Sequence, residues 1–180
     1  MIPNDAPQPV LLAQYQPPPF LVDTVDLAFD LRETATIVRS RLAVRRAGAD
    51  TNMHLDGDAI TLISVARDGV VLTPAQYRLD PHGMTIPDMP AACVLEIEVR
   101  VDPKGNTELS GLYLSNGSYF TQCEAEGFRR ITYFPDRPDV MARFSASIVA
   151  DMAAVPVMLS NGNPGPMEDF GNGQIGRAHV

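Results

Sequence analysis

In CVLEIEVRV, residues Cys93–Val101, apolar and charged side chains alternate strictly from Leu95 onward. Cys93, Leu95, Ile97, Val99 and Val101 fall on one side, and Glu96, Glu98 and Arg100 on the other. A period of two puts successive side chains on opposite faces, so this is a strand with one face in a core and one in water. Cys93 then reads as a small core hydrophobe. The pattern extends upstream. Val25, Leu27, Phe29 and Leu31 alternate with Asp26, Ala28 and Asp30. After a turn near Arg32-Glu33, Val38, Ser40, Leu42 and Val44 alternate with Arg39, Arg41, Ala43 and Arg45. Together these predict a hairpin packed on one side.

Shorter strands are expected at 59–66, 70–72, 77–79 and 84–86, with Asp68-Gly69 as a turn able to take positive φ. Leu112–Leu114 and Tyr119–Thr121 flank Asn116-Gly117, a strong hairpin signal. Residues 144–150 and 157–159 read as further strands. One short helix is expected near 136–144, with Asp136 as cap, Pro138 in the first turn and Val140, Met141 and Phe144 on its apolar side. With 16 prolines and 13 glycines as punctuation, the expected fold is all-β: an antiparallel β-sandwich or saddle-shaped sheet. Residues 1–20, which hold six prolines (Pro3, Pro7, Pro9, Pro17, Pro18 and Pro19), are expected to form an extended arm. The domain proper would run over 21–180. The terminal GQIGRAHV resembles a strand just starting, so the domain is expected to be cut before its last strand.

At 180 residues the chain is about one domain, and 45% hydrophobic content is ordinary for a globular protein. A net charge of -8 argues against a nucleic-acid binder. Its one arginine cluster, Arg39, Arg41, Arg45 and Arg46, fits the wet face of a strand. No apolar run approaches the roughly 18 residues of a membrane span. The N-terminus lacks the basic start and apolar stretch of a secretory signal. Two cysteines, Cys93 and Cys123, make no disulfide framework and suit a reducing cytoplasm. With three histidines, His54, His82 and His179, they show no metal-ligand spacing. No metal site is expected within the chain, and a monomer is expected.

Chemistry concentrates in SYFTQCEAEGFRRITYFPDRPDV, Ser118–Val140. Glu124 and Glu126 alone would hold only a hard cation, weakly. An acid/base pair needs two carboxylates of separated pKa facing a substrate. A Cys123 nucleophile needs a base, and the nearest histidine is far along the chain. The plainest reading is an ion pair of Glu124 or Glu126 with Arg129, Arg130 or Arg137, which if exposed stabilises by only ~0–1 kcal/mol.

TQCEAEGFRRITYFPDRPDVMARF, Thr121–Phe144, resembles the N-terminal domain of the bacterial aminopeptidase N family, the alanyl aminopeptidase branch of the gluzincin zinc metallopeptidases. NTELSGLYLSNGSYF before it, VMLSNGN after it and VDTVDLAFDLRETATIVRSRLAVRR near the start fall in the family's order. Arg130 and Tyr133–Pro135 depart from the family's usual forms. The resemblance implies that Gln122 and Glu124 reach into the cleft of a catalytic domain. Glu124 would hold the substrate's free α-ammonium, Gln122 would line the first side-chain pocket, and Cys123 would point the opposite way into the sheet. It also implies Zn2+ in a full-length parent that releases N-terminal residues from peptides. The family's H-E-x-x-H motif is absent here, so no catalytic residue is expected in this chain, and the fragment alone is expected to be inactive. GPMED, Gly165–Asp169, looks like the family's G-A-M-E-N loop but is expected in a turn and is not assigned that role. The alternative is a stand-alone β-sandwich binding a protein or carbohydrate through exposed aromatics: Tyr113, Tyr119, Phe120, Phe128, Tyr133 and Phe134.

Overall fold

The structure, a computed structural model, describes residues 11–179. The expected arm falls partly outside this range. Within it, Leu12–Gln14 form a 3-10 turn, and the Tyr15 hydroxyl donates to Asp139 Oδ2 at 2.9 Å. Arg137 Nη2 donates to the Gln16 carbonyl at 2.8 Å, so the described part of the arm packs on its own domain.

Thirteen strands follow: β1 (Phe20–Asp30), β2 (Thr36–Arg46), β3 (Met53–Asp56), β4 (Thr61–Arg67), β5 (Val70–Val71), β6 (Arg78–Asp80) and β7 (Gly83–Ile86). They continue with β8 (Ala92–Val101), β9 (Gly111–Ser115), β10 (Ser118–Gln122), β11 (Arg143–Asp151), β12 (Pro164–Asp169) and β13 (Gln174–His179). Eight form one sheet in the order β12-β13-β11-β1-β2-β8-β4-β5. β3, β7 and β6 form a second sheet, and β9 and β10 a two-stranded ribbon. The fold is all-β, as the alternation requires.

The inward faces are those read from sequence. Val38, Leu42, Leu95, Ile97 and Val99 of the large sheet are buried against Met53, Leu55, Met84 and Ile86 of the small one. Each such side chain contributes about 1.5–3 kcal/mol on burial. β1 needs one correction of phase to keep its apolar residues inward. Val22 and Val25 are both buried, and the register shift between Val22 and Thr24 supplies the extra residue of a bulge. On the wet face, Arg45 pairs with Asp23 at 2.9 Å and Arg39 with Glu98 at 3.1 Å across neighbouring strands. The buried Ser40 and Thr132 hydroxyls satisfy each other at 2.8 Å.

Several expectations are corrected. No helix forms over 136–144: the segment makes a single turn, with Val140 N–H donating to the Arg137 carbonyl at 3.1 Å, before β11 begins at Arg143. Pro138 disfavours the α region at Arg137, and the Asp136 carboxylate that would cap a helix is taken by Arg129. Residues 157–159 join no ladder, and Val157 and Leu159 are exposed. GPMED lies in an edge strand, β12, not in a turn. The large sheet is not wholly antiparallel, because β11 runs parallel to β1. β13 is hydrogen-bonded on both sides, by β11 and by β12.

Candidate functional site

The β9–β10 ribbon turns at Asn116 and Gly117, both with positive φ, 51° and 77°. This is the geometry that an Asn-Gly pair supplies for a two-residue hairpin. Tyr113 and Phe120 stack across the ribbon with centroids 5.7 Å apart. β10 ends at Gln122, and the chain then closes a tight loop in which Gly127 N–H donates to the Cys123 carbonyl at 2.9 Å. The loop needs glycine at its end. A Cβ on Gly127 would collide with the Gln122 carbonyl oxygen and lie 2.8 Å from Cys123 Cα. Inside the loop, the Gln122 side-chain amide donates to the Glu124 carbonyl at 2.9 Å.

The two glutamates part company here. Glu126 Oε1 lies 3.6 Å from Arg129 Nη2. Glu124 is exposed, and its carboxylate has no hydrogen-bond or ion-pair partner among the described residues. The plain ion-pair reading therefore holds for Glu126 and not for Glu124.

Phe128–Arg130, a 3-10 turn, anchors the loop to the small sheet. Arg129 donates through its backbone N–H and its Nε to Asp136 Oδ2, at 3.0 and 3.1 Å, and through Nη2 to the Asp136 carbonyl at 3.0 Å. Asp136 N–H donates in turn to Asp56 Oδ2 at 2.9 Å. Arg130 Nη1 meets Asp58 Oδ2 at 2.6 Å. Burial would lower the Arg129 pKa, but its three carboxylate neighbours outweigh that and hold it raised. Nothing in the local spacing reveals this clamp, since Asp56 and Asp58 come from the distant end of β3 and the chain just past it. The nearby charges Arg129, Arg130 and Asp136 were its only visible signal.

Cys123 does not enter the interior of a sheet. It lies just past β10 and lines an open cavity of about 940 Å3 with Leu27, Phe29, Phe128, Phe134 and Phe144. Gln122 and Glu124 are not among the lining residues. Burial pushes the Cys123 thiol up, and the Asp136 charge adds to this, although the residue keeps exposed area at the cavity wall. A thiol raised in this way is a poor nucleophile at neutral pH.

The six aromatics do not share one exposed face: Phe120 is exposed on the ribbon, with Tyr113 and Tyr119 half-buried beside it, while the others turn inward. Tyr133 and Phe134 are buried, and Phe128 packs edge-on against Phe134 and Phe144, at 5.0 and 5.7 Å. Among the described residues no three His, Cys, Asp or Glu side chains converge to hold a metal ion.

Comparison with known proteins matches residues 25–178 to the Peptidase M1 N-terminal domain. The chain is 50% identical over 162 residues to aminopeptidase N of Caulobacter vibrioides, covering 89% of this chain and 19% of that protein. It is 38% identical over 169 residues to aminopeptidase N of Escherichia coli, covering 93% and 19%. The chain thus spans about a fifth of the length of these relatives. Among solved structures, aminopeptidase A of Legionella pneumophila in complex with aspartic acid superposes with a TM-score of 0.88 at 29% identity, covering 93% of this chain and 20% of that one. An M1 zinc metallopeptidase of Deinococcus radiodurans bound to a Tyr-Ser-Ala substrate gives a TM-score of 0.74 at 14% identity, covering 89% and 38%, a likeness of fold.

Proposed function

Because the chain belongs to the Peptidase M1 N-terminal domain family, we propose that it is the substrate-anchoring domain of a zinc aminopeptidase that releases N-terminal residues from peptides. Glu124 takes the peptide's free α-ammonium, and Gln122 lines the first side-chain pocket while bracing the loop through its bond to the Glu124 carbonyl. The observation that carries this reading is the unpartnered Glu124 carboxylate beside the engaged Glu126. A charge-assisted hydrogen bond from an ammonium is worth about 1.5–3 kcal/mol. An exopeptidase needs such an anchor because the position of the amine fixes which peptide bond is cut.

The described residues do not fit a zinc site, so in this reading the metal and the hydrolytic groups are supplied by a catalytic domain of the same parent chain. The apolar cavity, with exposed Phe144, Val157 and Leu159 in its lining, supports a face covered in that parent. The free cysteines Cys93 and Cys123 support a cytoplasmic setting.

The test is Glu124→Ala in the full-length parent, assayed with aminoacyl-arylamides. KM should rise for substrates and amine-bearing inhibitors while zinc content stays intact. Unchanged kinetics would remove Glu124 from the site. The isolated chain should show no turnover, and turnover surviving chelation and repurification would overturn its assignment as an inactive domain.

A further inference from the structure

Two carboxylates lie two residues apart on the 123–127 loop, and one arginine distinguishes them. Arg129 is not a side chain that follows the loop. Its Nε and backbone N–H are held by Asp136 Oδ2, its Nη2 by the Asp136 carbonyl, and its Nη1 lies 3.9 Å from Asp56 Oδ1. Its carbonyl accepts the Asp58 N–H at 3.0 Å, which ties the same residue to the chain just past β3. Only 22% of the side chain is exposed. The guanidinium is therefore fixed by the body of the domain before the loop meets it. Glu126 then comes to it at 3.6 Å, with φ of 63° at Glu126 turning the chain.

We propose that Arg129 is a positioning residue for the ammonium anchor: it draws Glu126 down and neutralises it, leaving Glu124 as the loop's single unpaired carboxylate. This rests on the reading of Glu124 as the anchor. The physical reason is competition. Two free acids two residues apart would offer a cationic amine two resting places, and only one sets the scissile bond correctly. A fixed cation between the loop and the domain removes the second choice and also limits how far the loop can swing. On the domain side Asp136 and Asp56 occupy Arg129, and among the described residues it makes no contact with the Glu124 carboxylate.

The experiment uses the full-length parent enzyme, with Glu124→Gln, Arg129→Gln, the Arg129→Gln/Glu124→Gln pair and the Arg129→Gln/Glu126→Gln pair. The readouts are aminoacyl-arylamide kinetics, zinc content, and inhibition by an amino acid hydroxamate against its des-amino analogue. Arg129→Gln should raise KM by about two- to fivefold with a smaller change in kcat, the most that an ion pair with an exposed Glu126 can supply. It should weaken the hydroxamate but not the des-amino analogue. The effect should vanish in the Glu124→Gln background and be partly reversed by adding Glu126→Gln. Additive losses, or equal losses for both inhibitors, would overturn the proposal and leave Arg129 a purely structural clamp. If Glu124→Gln itself changes nothing, the anchor reading falls and this inference with it. If Arg129→Gln does not fold, Arg129→Lys, which keeps the charge but not the fork, is scored by the same inhibitor pair and the same Glu124→Gln background.

Discussion

Gly127→Ala is the sharpest probe of the loop that carries Glu124. Gly127 has φ of −88° and ψ of −14°, an ordinary conformation for any residue. Its requirement for glycine comes entirely from space. An added Cβ would run into the Gln122 carbonyl oxygen, with Cys123 Cα at 2.8 Å and Ser110 Oγ at 2.9 Å. Two of these three are backbone and cannot rotate away. The loop must open, and the Gly127 N–H bond to Cys123 is lost. Overpacking costs about 1–3 kcal/mol and the hydrogen bond about 0.5–1.5 kcal/mol, so the expected loss is roughly 2–4 kcal/mol. That is a large part of a typical total of about 5–15 kcal/mol. Gly117→Ala is the control. Its φ is 77° and nothing lies within 4 Å of a new Cβ, so only conformational strain of about 1 kcal/mol applies. Urea unfolding of the two variants, read by circular dichroism, should show a much larger midpoint shift for Gly127→Ala. Equal shifts, or the reverse order, would refute the closed loop.

The buried Ser40–Thr132 pair predicts a non-additive cycle. Ser40→Ala should cost about 1–3 kcal/mol by leaving Thr132 unpaired, whereas adding Thr132→Val should recover most of it; simple addition of the two losses in denaturation would contradict a shared bond. Arg137, through its hydrogen bond, holds the Asp139 carboxyl below its ordinary 3.8, with Tyr15 adding to this. The depressed pKa means that the contribution of this contact is complete above ordinary carboxylate pH and is lost as pH falls through the lower, folded value. The Tyr15 ring signals should therefore move to those of a free tyrosine only in acid below about pH 4, and ring shifts that stay constant down to unfolding would show that the arm is not held there.

The strand faces were legible because burial on one side of a sheet imposes a period of two on the chain itself. Val25 to Leu31, Val38 to Val44 and Cys93 to Val101 fall on the expected sides. The Asn116-Gly117 turn was legible for a similar reason: few residue pairs take positive φ twice in succession. The segment 136–144 was misread because its helix signals are local, while Asp136 is bound to Arg129 and Asp139 to Arg137 and Tyr15. Tertiary partners outbid a weak local preference. GPMED was misread as a turn from the glycine-, proline- and asparagine-rich stretch around it, yet pairing with β13 makes it a strand.

From the residues alone came the all-β class, the inward faces, the hairpin before the loop and the likeness that singles out Gln122 and Glu124. These depend on periodicity and on short motifs, which the linear chain carries within a few residues. Only the folded chain decided that β11 runs parallel to β1, that Cys123 turns to a cavity, and that Arg129 engages Glu126 but not Glu124. The last of these depends on the Asp56–Asp58 segment, whose hydrogen bonds to Asp136 and Arg130 span 80 and 72 residues of sequence and are made only by the packing of one sheet on another.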